Sequence, residues 1–545
     1  MRNLFVLFVP FLFLFQTANS QTLDWATILG GSGPNNGASV ATDSSGNVYS
    51  TGLFSGTVDF DPGPNSFNLT STGQNDIFVL KYDVFGNFIW VKSIGGIPGE
   101  TVSSITLDNL GNIYITGDFW GTVDFNPGSG TFNVTSSGLN DVFTLKLDAS
   151  GNFVYAKSLS GTDYNCGNTV AIDVSGNVYT TGFFMGTVDF DPGLGTFNLT
   201  SIGSTDIFIS KLDASGNFVW AKSMGGIGYD EVRSMVIDSL GNVYTTGNYM
   251  STVDFDPGLG VSNLTSAGSK NIFVSKLDAS GNFIWAKSLG GGDLTTVNSI
   301  VIDNSCNVYT TGYFRGIADF DPGPGNYDLM TTDSVYYVFI SKLNSSGDFL
   351  FAKSIGGSTV NTTGTAIGLD NSGNIYTIGS FGESVDFDPG PGSFYITPIG
   401  IVDLFILKLD SLGNYLYAKS VGGSGYISGL SLEIDLKGSI YIIGNICCGT
   451  FDFDPTIGTY NLTSTNGYTD IFVFKLNQRG ASGCIFNDLN ASGIKDISEI
   501  GLQNRYLTIN PGNIIVQTNI SGIWSVDSLP VGVYSIIYDT SLTKP

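Results

Sequence analysis

The sequence predicts an all-β fold: a seven-bladed β-propeller closed by an N-terminal strand, with a smaller strand-rich segment behind it. Three observations carry this expectation. A unit of about 65 residues returns seven times between Gln21 and Gly480, with the words N-V-Y-T-T-G, V-D-F-D-P-G, D-I-F-x-x-K-L-D and G-N-F-x-W-A-K-S. Such a period, built from short apolar runs, suits a propeller blade rather than one compact core. Within a unit the apolar residues alternate or cluster as β-branched and aromatic groups, without the three-four spacing of a helix. The two ends of the array also complement each other.

One copy shows how a unit folds. Turn phrases such as Asp173-Val-Ser-Gly176-Asn177 and Asp213-Ala-Ser-Gly216-Asn217 supply a glycine able to take the positive φ of a tight hairpin. Two hairpins make four strands. They are expected near Thr169–Ile172 (a), Val178–Phe184 (b), Ile207–Leu212 (c) and Phe218–Ser223 (d), with a short extended piece at Thr196–Thr200. Two copies depart at the turn, where Cys306 replaces the glycine and Lys437-Gly438-Ser439 replaces S-G-N, and strain or a different shape is expected there.

The last copy stops after its third strand, because Asn477-Gln-Arg-Gly480 stands where G-N-F-x-W should begin. Its missing strand sits at the other end, as Leu23-Asp24-Trp25-Ala26-Thr27-Ile28-Leu29-Gly30-Gly31. An N-terminal strand completing the last blade removes the open sheet seam. A linear solenoid would need polar capping repeats instead.

Residues 1–20 read as a secretory signal peptide: Arg2, an apolar run from Leu4 to Phe15, and small residues before Gln21. The run is shorter than the ~20 residues of a membrane-spanning helix. The mature chain is therefore expected to be secreted or at the cell surface, with no transmembrane segment.

A formal net charge of -25 argues against nucleic acid as a partner. Lys81, Lys146, Lys211, Lys276, Lys342, Lys408 and Lys475 share one repeat position; Lys92, Lys157, Lys222, Lys287, Lys353 and Lys419 share another. Residues that return once per unit are expected to pair with repeated aspartates. The cysteines are scattered, apart from the adjacent Cys447 and Cys448; they offer at most a bridge with a thiol left over and no metal-ligand spacing. The chain contains no histidine, which removes His-dependent nucleophile pairs, zinc sites and acid–base catalysis.

The blade text, read across all seven copies, resembles the SBBP-type bacterial β-propeller repeat. That resemblance covers residues 21–480 and implies an architecture and an extracellular setting, but no chemistry. Behind it, Gly483 to Glu499 places oxygen ligands at the spacing of a twelve-residue calcium loop: Asp488, Asn490, Ser492, the Ile494 carbonyl, Asp496 and Glu499, with Gly493 at the sixth position. With the alternating strands that follow and the phrase Leu529-Pro530-x-Gly532-x-Tyr534, residues 481–545 resemble an SdrD B-like (Cna B-like) domain. The resemblance implies a small immunoglobulin-like β-sandwich used as a spacer, with calcium as the cofactor.

Paired carboxylates in the D-F-D-P-G turns, such as Asp189 and Asp191, invite a cation site in every blade or a glycosidase pair. An enzyme needs one asymmetric site, so a pair repeated around the ring reads better as a turn capped by its own side chains. Asn-x-Thr triplets at Asn68, Asn133, Asn198, Asn263 and Asn461 follow repeat geometry in the same way. No catalytic residue is assigned. The expected function is a non-catalytic binding or adhesion module for a glycan or protein ligand; the alternative is a carboxylate-dependent glycosidase or lyase. Binding residues are sought where the copies differ, in loops on a rigid scaffold. Trp120, Tyr164, Tyr229 and Tyr426 are the candidates, being aromatic and variable.

Overall fold

A computed structural model describes residues 21–97, 99–332, 334–357, 359–456, 458–465 and 467–484, together with four strands at Tyr506–Asn510, Ile514–Gln517, Ile523–Asp527 and Ser535–Tyr538. The expected signal peptide, residues 1–20, and the expected calcium loop, Asp488–Glu499, lie outside the described residues. The chain divides into two compact units, Leu23–Leu476 and a second made of Met1–Thr22 with Asn477–Pro545.

The first unit is all-β, a propeller in which six blades are each drawn from one continuous stretch. In one blade, strand a is Cys166–Ile172, b is Val178–Phe184, c is Asp206–Leu212 and d is Phe218–Gly226, antiparallel in that order. A further sheet has its own origin: Tyr426–Ile434, Ile440–Cys447 and the strand starting at Thr469 are joined on the outer side by Gln21–Leu29. In the second unit, Tyr506–Asn510 lies between Ile514–Gln517 and Ser535–Tyr538, and Ile523–Asp527 pairs with residues 479–484.

The piece between b and c is more ordered than its sequence suggests. Thr187–Asp189 and Asn198–Thr200 form a short ribbon, with Thr187 Oγ1 2.8 Å from Thr200 Oγ1. Its first strand then pairs with strand d of the preceding blade, Asp189 opposite Ser160 and Val188 opposite Gly161. Most ribbons tie one blade to the last in this way. This explains the Gly-Gly that ends most d strands: a Cβ on Gly95 would strike the buried Asp76 carboxylate, and one on Gly96 would strike the Thr122 carbonyl of the next ribbon.

The core lies between blades. Phe60 of one ribbon is fully buried, its ring centroid 5.3 Å from both Phe54 and Phe78; burying such a side chain contributes roughly 1.5–3 kcal/mol. Another cluster joins Tyr49, Ile77 and Val79 to Ile105, Ile113 and Ile115 of the neighbouring blade.

The a-to-b turn uses one network throughout. Asp173 accepts hydrogen bonds from the amides of Ser175 and Asn177, from Asn177 Nδ2 and from the Tyr179 hydroxyl. Neither departing copy breaks it. Cys306 holds the left-handed backbone of the glycine it replaces, at φ 59°, and the turn at Asp435 keeps Gly438 at φ 82° with Ser439 donating its amide to Asp435. The expected change of shape is absent because the carboxylate, not the glycine alone, organises the turn.

Candidate binding face

Strand a begins and strand b ends at the same edge of each sheet, so the d-to-a loops and the b-to-c ribbons share one face. Trp120 pairs with Gly99 at that edge, Arg315 with Leu294 and Cys447 with Tyr426. Tyr164, Tyr229 and Tyr426 take one equivalent position, each bridged in parallel to the residue ahead of strand c: Asn140, Thr205 and Val402. All four predicted aromatics are therefore on the loop face and exposed, Trp120 at 53%, Tyr164 at 38%, Tyr229 at 57% and Tyr426 at 51%. They do not form one patch. Trp120, Tyr164 and Tyr229 sit on consecutive blades, whereas Tyr426 belongs to the sheet made from both chain ends. Tyr164 leans on Phe183, with centroids 5.8 Å apart.

The D-F-D-P-G carboxylates serve the turn. Asp59 Oδ1 accepts the amides of Asp61 and Phe67, and Asp61 Oδ1 accepts that of Gly63. Asp189 and Asp191 repeat the pattern, and Asn126 keeps it where the second aspartate is missing. The Asn-x-Thr triplets are the partner strands of these ribbons.

The repeated lysines pair more broadly than expected. Lys211 Nζ lies 4.7 Å from the centre of the Tyr179 ring, 3.7 Å from Asp173 and 3.2 Å from the Ala279 carbonyl of the next blade. Ring, carboxylate and neighbouring turn share one ammonium, so it is a structural staple. Among the cysteines, Cys447 and Cys448 form a disulfide and Cys166 and Cys306 are free.

Beneath the loop face lies a layer of buried acids. Asp76, Asp141, Asp206, Asp403 and Asp470 open strand c, and burial raises each carboxyl above its ordinary value while turn amides such as those of Thr72, Ser137 and Ile202 oppose it. Glu100 is pushed up to about 8 by burial and then by Asp76. Burial likewise takes Asp230 to about 7, against the amides of Met250 and Gly226.

One arrangement breaks the repeat. Asp118 accepts Thr101 Oγ1 at 2.5 Å, Asn140 Nδ2 at 2.5 Å and the Cys166 thiol at 3.2 Å. On the following blade Glu231 and Arg233 form an ion pair of 2.7 Å. Burial, then Asp118, hold the Cys166 thiol far above its usual value, so it is a hydrogen-bond donor rather than a nucleophile. These residues escaped sequence reasoning, which followed aromatics alone. The signal was available: Leu53, Phe183, Asn248, Tyr313, Ser380 and Asn445 stand where Asp118 does, and Ala38, Ser103, Asn168, Asn298 and Thr365 where Arg233 does.

Comparison with known proteins agrees with the repeat. Residues 24–53, 89–122 and 219–248 match the beta-propeller repeat family SBBP. An uncharacterised WD repeat-containing protein of Acanthamoeba polyphaga mimivirus is 23% identical across 86% of this chain, and the regulatory protein FlaEY of Caulobacter vibrioides 25% identical across 69%; the chain spans 38% of the length of each. Among solved structures, U3-55K is 12% identical with a TM-score of 0.41, covering 82% of this chain and 98% of its own. The polysaccharide lyase Uly1 is 10% identical with a TM-score of 0.41, covering 80% and 89%. The chain is a β-propeller repeat protein similar to a WD repeat-containing protein.

Proposed function

We propose that the chain is an exported, non-catalytic binding or adhesion module that takes a glycan or protein ligand on the loop face of its propeller. One observation carries the reading: on that face the copies diverge and expose Trp120, Tyr164 and Tyr229 on consecutive blades, while the acids beneath are buried. Glu100 and Asp230 have the raised pKa of a general acid, which favours the alternative of a carboxylate-dependent glycosidase or lyase. Both side chains are at most 4% exposed, however, and a general acid must reach its substrate. A glycan array run beside a reducing-sugar release assay separates the two. Ligand capture without sugar release supports binding; release that Glu100→Gln or Asp230→Asn abolishes overturns it.

The sheet built from both chain ends acts in this reading as the seventh blade. The Val40 amide reaches Ser431 Oγ at 3.3 Å, just as the Val170 amide reaches Ser104 Oγ at 3.4 Å and the Ile300 amide reaches Ser234 Oγ at 3.4 Å between other neighbouring blades. The Lys475–Asp24 ion pair, at 2.9 Å, adds to the joint. We further assign to residues 481–545 an SdrD B-like sandwich stiffened by calcium at Asp488, Asn490, Ser492, Ile494, Asp496 and Glu499. Affinities of extracellular modules reach ~10⁻⁴ to 10⁻³ M. Calorimetry on the full chain should show calcium uptake that Glu499→Ala removes, and equal uptake by the two proteins would end the assignment.

A further inference from the structure

The propeller spends almost all its cations on the repeat. Apart from the two repeated lysine positions, residues 23–476 hold four: Arg233, Lys270, Arg315 and Lys437. Lys437 belongs to the turn at Asp435, on the opposite face. The other three lie on the loop face of two consecutive blades: Arg233 in Glu231–Ile237, Lys270 just ahead of Asn271–Leu277, and Arg315 at the end of Val308–Arg315. In a chain of net charge -25 this concentration is not background.

Lys270 interacts electrostatically with the Glu231–Arg233 pair, and its loop is tied by a hydrogen bond to the counter-ion of Arg315. Lys270 is close enough to feel both members of the Glu231–Arg233 pair; burial lowers its pKa first, and Glu231 opposes the shift while Arg233 adds to it. It makes no hydrogen bond or ion pair among the described residues. Its neighbour Ser269 donates to the Asp293 carbonyl at 2.6 Å, and the Asp293 carboxylate lies 3.6 Å from Arg315 Nε. That separation exceeds a hydrogen bond, and Nε is buried without an acceptor. Arg315 also lies over Tyr336, 5.6 Å from the ring centre, and Tyr336 packs on Tyr313 at 5.1 Å. Tyr229, two residues ahead of Glu231, ends the strip.

We propose that this strip, Tyr229–Arg233–Lys270–Arg315–Tyr336, binds an acidic polysaccharide, its carboxylates meeting the cations and its sugar faces the tyrosines. A row of separate cations flanked by rings suits a polymer bearing a charge on each flat sugar, and Arg matches a carboxylate with two parallel donors. A dense acidic peptide fits less well, because it would bring more charge than three cations neutralise. The inference rests on the binding reading above and names its ligand class.

The other copies supply tolerated replacements: Ser103 stands at the place of Arg233, Thr205 at that of Lys270 and Ser55 at that of Arg315. The full chain and the triple variant Arg233→Ser, Lys270→Thr, Arg315→Ser are titrated with short oligogalacturonates, with their neutral methyl esters and with polyglutamate, at low and high salt. The expected result is binding of the oligogalacturonate that weakens with salt, falls at least about tenfold in the variant and about as far for the methyl ester, with unchanged thermal melting. Equal affinity in the variant, equal affinity for the ester, tighter binding of polyglutamate, or no oligogalacturonate binding each overturns the proposal. A ligand held through Trp120 and Tyr164 alone would leave the general binding reading standing while this strip falls. Should the triple variant melt early, Arg315→Ser alone provides the same comparison.

Discussion

The two faces of the propeller are built from the same repeats and have diverged to different degrees. On the turn face every copy keeps an aspartate, a tyrosine and a lysine in one network, and even Cys306 adopts the backbone of the glycine it replaces. On the loop face equivalent positions hold Ser55, Trp120, Met185, Met250, Arg315 and Gly382. The difference is physical. A turn-face side chain contacts its own blade and the next, so a change at one site strains two. A loop-face side chain at the end of strand b borders solvent, so it is free to change or to be used.

The joint between the chain ends is where that comparison should break most severely. Deleting Gln21–Gly31 removes the outer strand of one sheet, the Lys475–Asp24 pair, and Trp25, Ala26 and Leu29 from two cores. At roughly 1.5–3 kcal/mol for each large buried side chain, several kcal/mol are lost. Thermal melting should fall far more than for an equal deletion within a loop-face ribbon, and similar melting of the two proteins would show that the N-terminal strand is dispensable.

On the turn face, Asp173→Ala should cost about 2–4 kcal/mol, since it strands two amides, a side-chain amide and a hydroxyl, and leaves the buried Lys211 ammonium without its carboxylate, held only by the Tyr179 ring and the Ala279 carbonyl. Burial pushes this carboxyl up, but the hydrogen bonds from Asn177, Ser175 and Tyr179 together outweigh it and hold it below its ordinary value. Its contribution is therefore present at neutral pH and lost as pH falls. Denaturant unfolding near neutral pH and again near pH 3 should show the gap between wild type and variant closing.

Glu100 carries the opposite sign. Its folded pKa, near 8, lies above the ordinary 4.5, so the fold prefers the protonated acid. The benefit is full below the ordinary value and is lost as pH climbs through 8. Glu100→Gln should leave stability unchanged at pH 4 and raise it by several kcal/mol at pH 9. A constant difference across that range would mean that Glu100 is not protonated in the fold.

How far these features were legible follows from how often the chain states them. The four strands of a blade, the Asp-x-x-Gly hairpins and the N-terminal strand were readable because repetition separates packing positions from the rest, and the pairing of Gln21–Leu29 bears this out. The tie between most ribbons and the preceding blade was not. Thr187–Asp189 is too short to announce a strand, and its partner at Ser160 and Gly161 belongs to another copy. The loop-face charges were missed for a different reason: Asp118, Arg233 and Lys270 are single departures, and only aligning the copies against one another makes them visible. Tyr164, Tyr229 and Tyr426 share one rim, the condition on which they were chosen.

The smallest effect on stability is expected where the largest effect on function is sought. Trp120, Tyr164, Tyr229 and Tyr426 are between 38% and 57% exposed, and truncating such side chains usually costs within about 0.5 kcal/mol each. Tyr164 should cost most, because its ring leans on Phe183. Changing all four to Ala should therefore shift the melting temperature by only a few degrees, while affinity for any ligand found by array or pull-down falls at least about tenfold. Trp120→Ala, Tyr164→Ala and Tyr229→Ala together should reproduce most of that loss, with Tyr426→Ala adding little, because only the first three stand on consecutive blades. If the four-residue variant instead melts as early as Asp173→Ala, these rings are part of the packing. The two faces would then differ only in sequence, not in the work their side chains do.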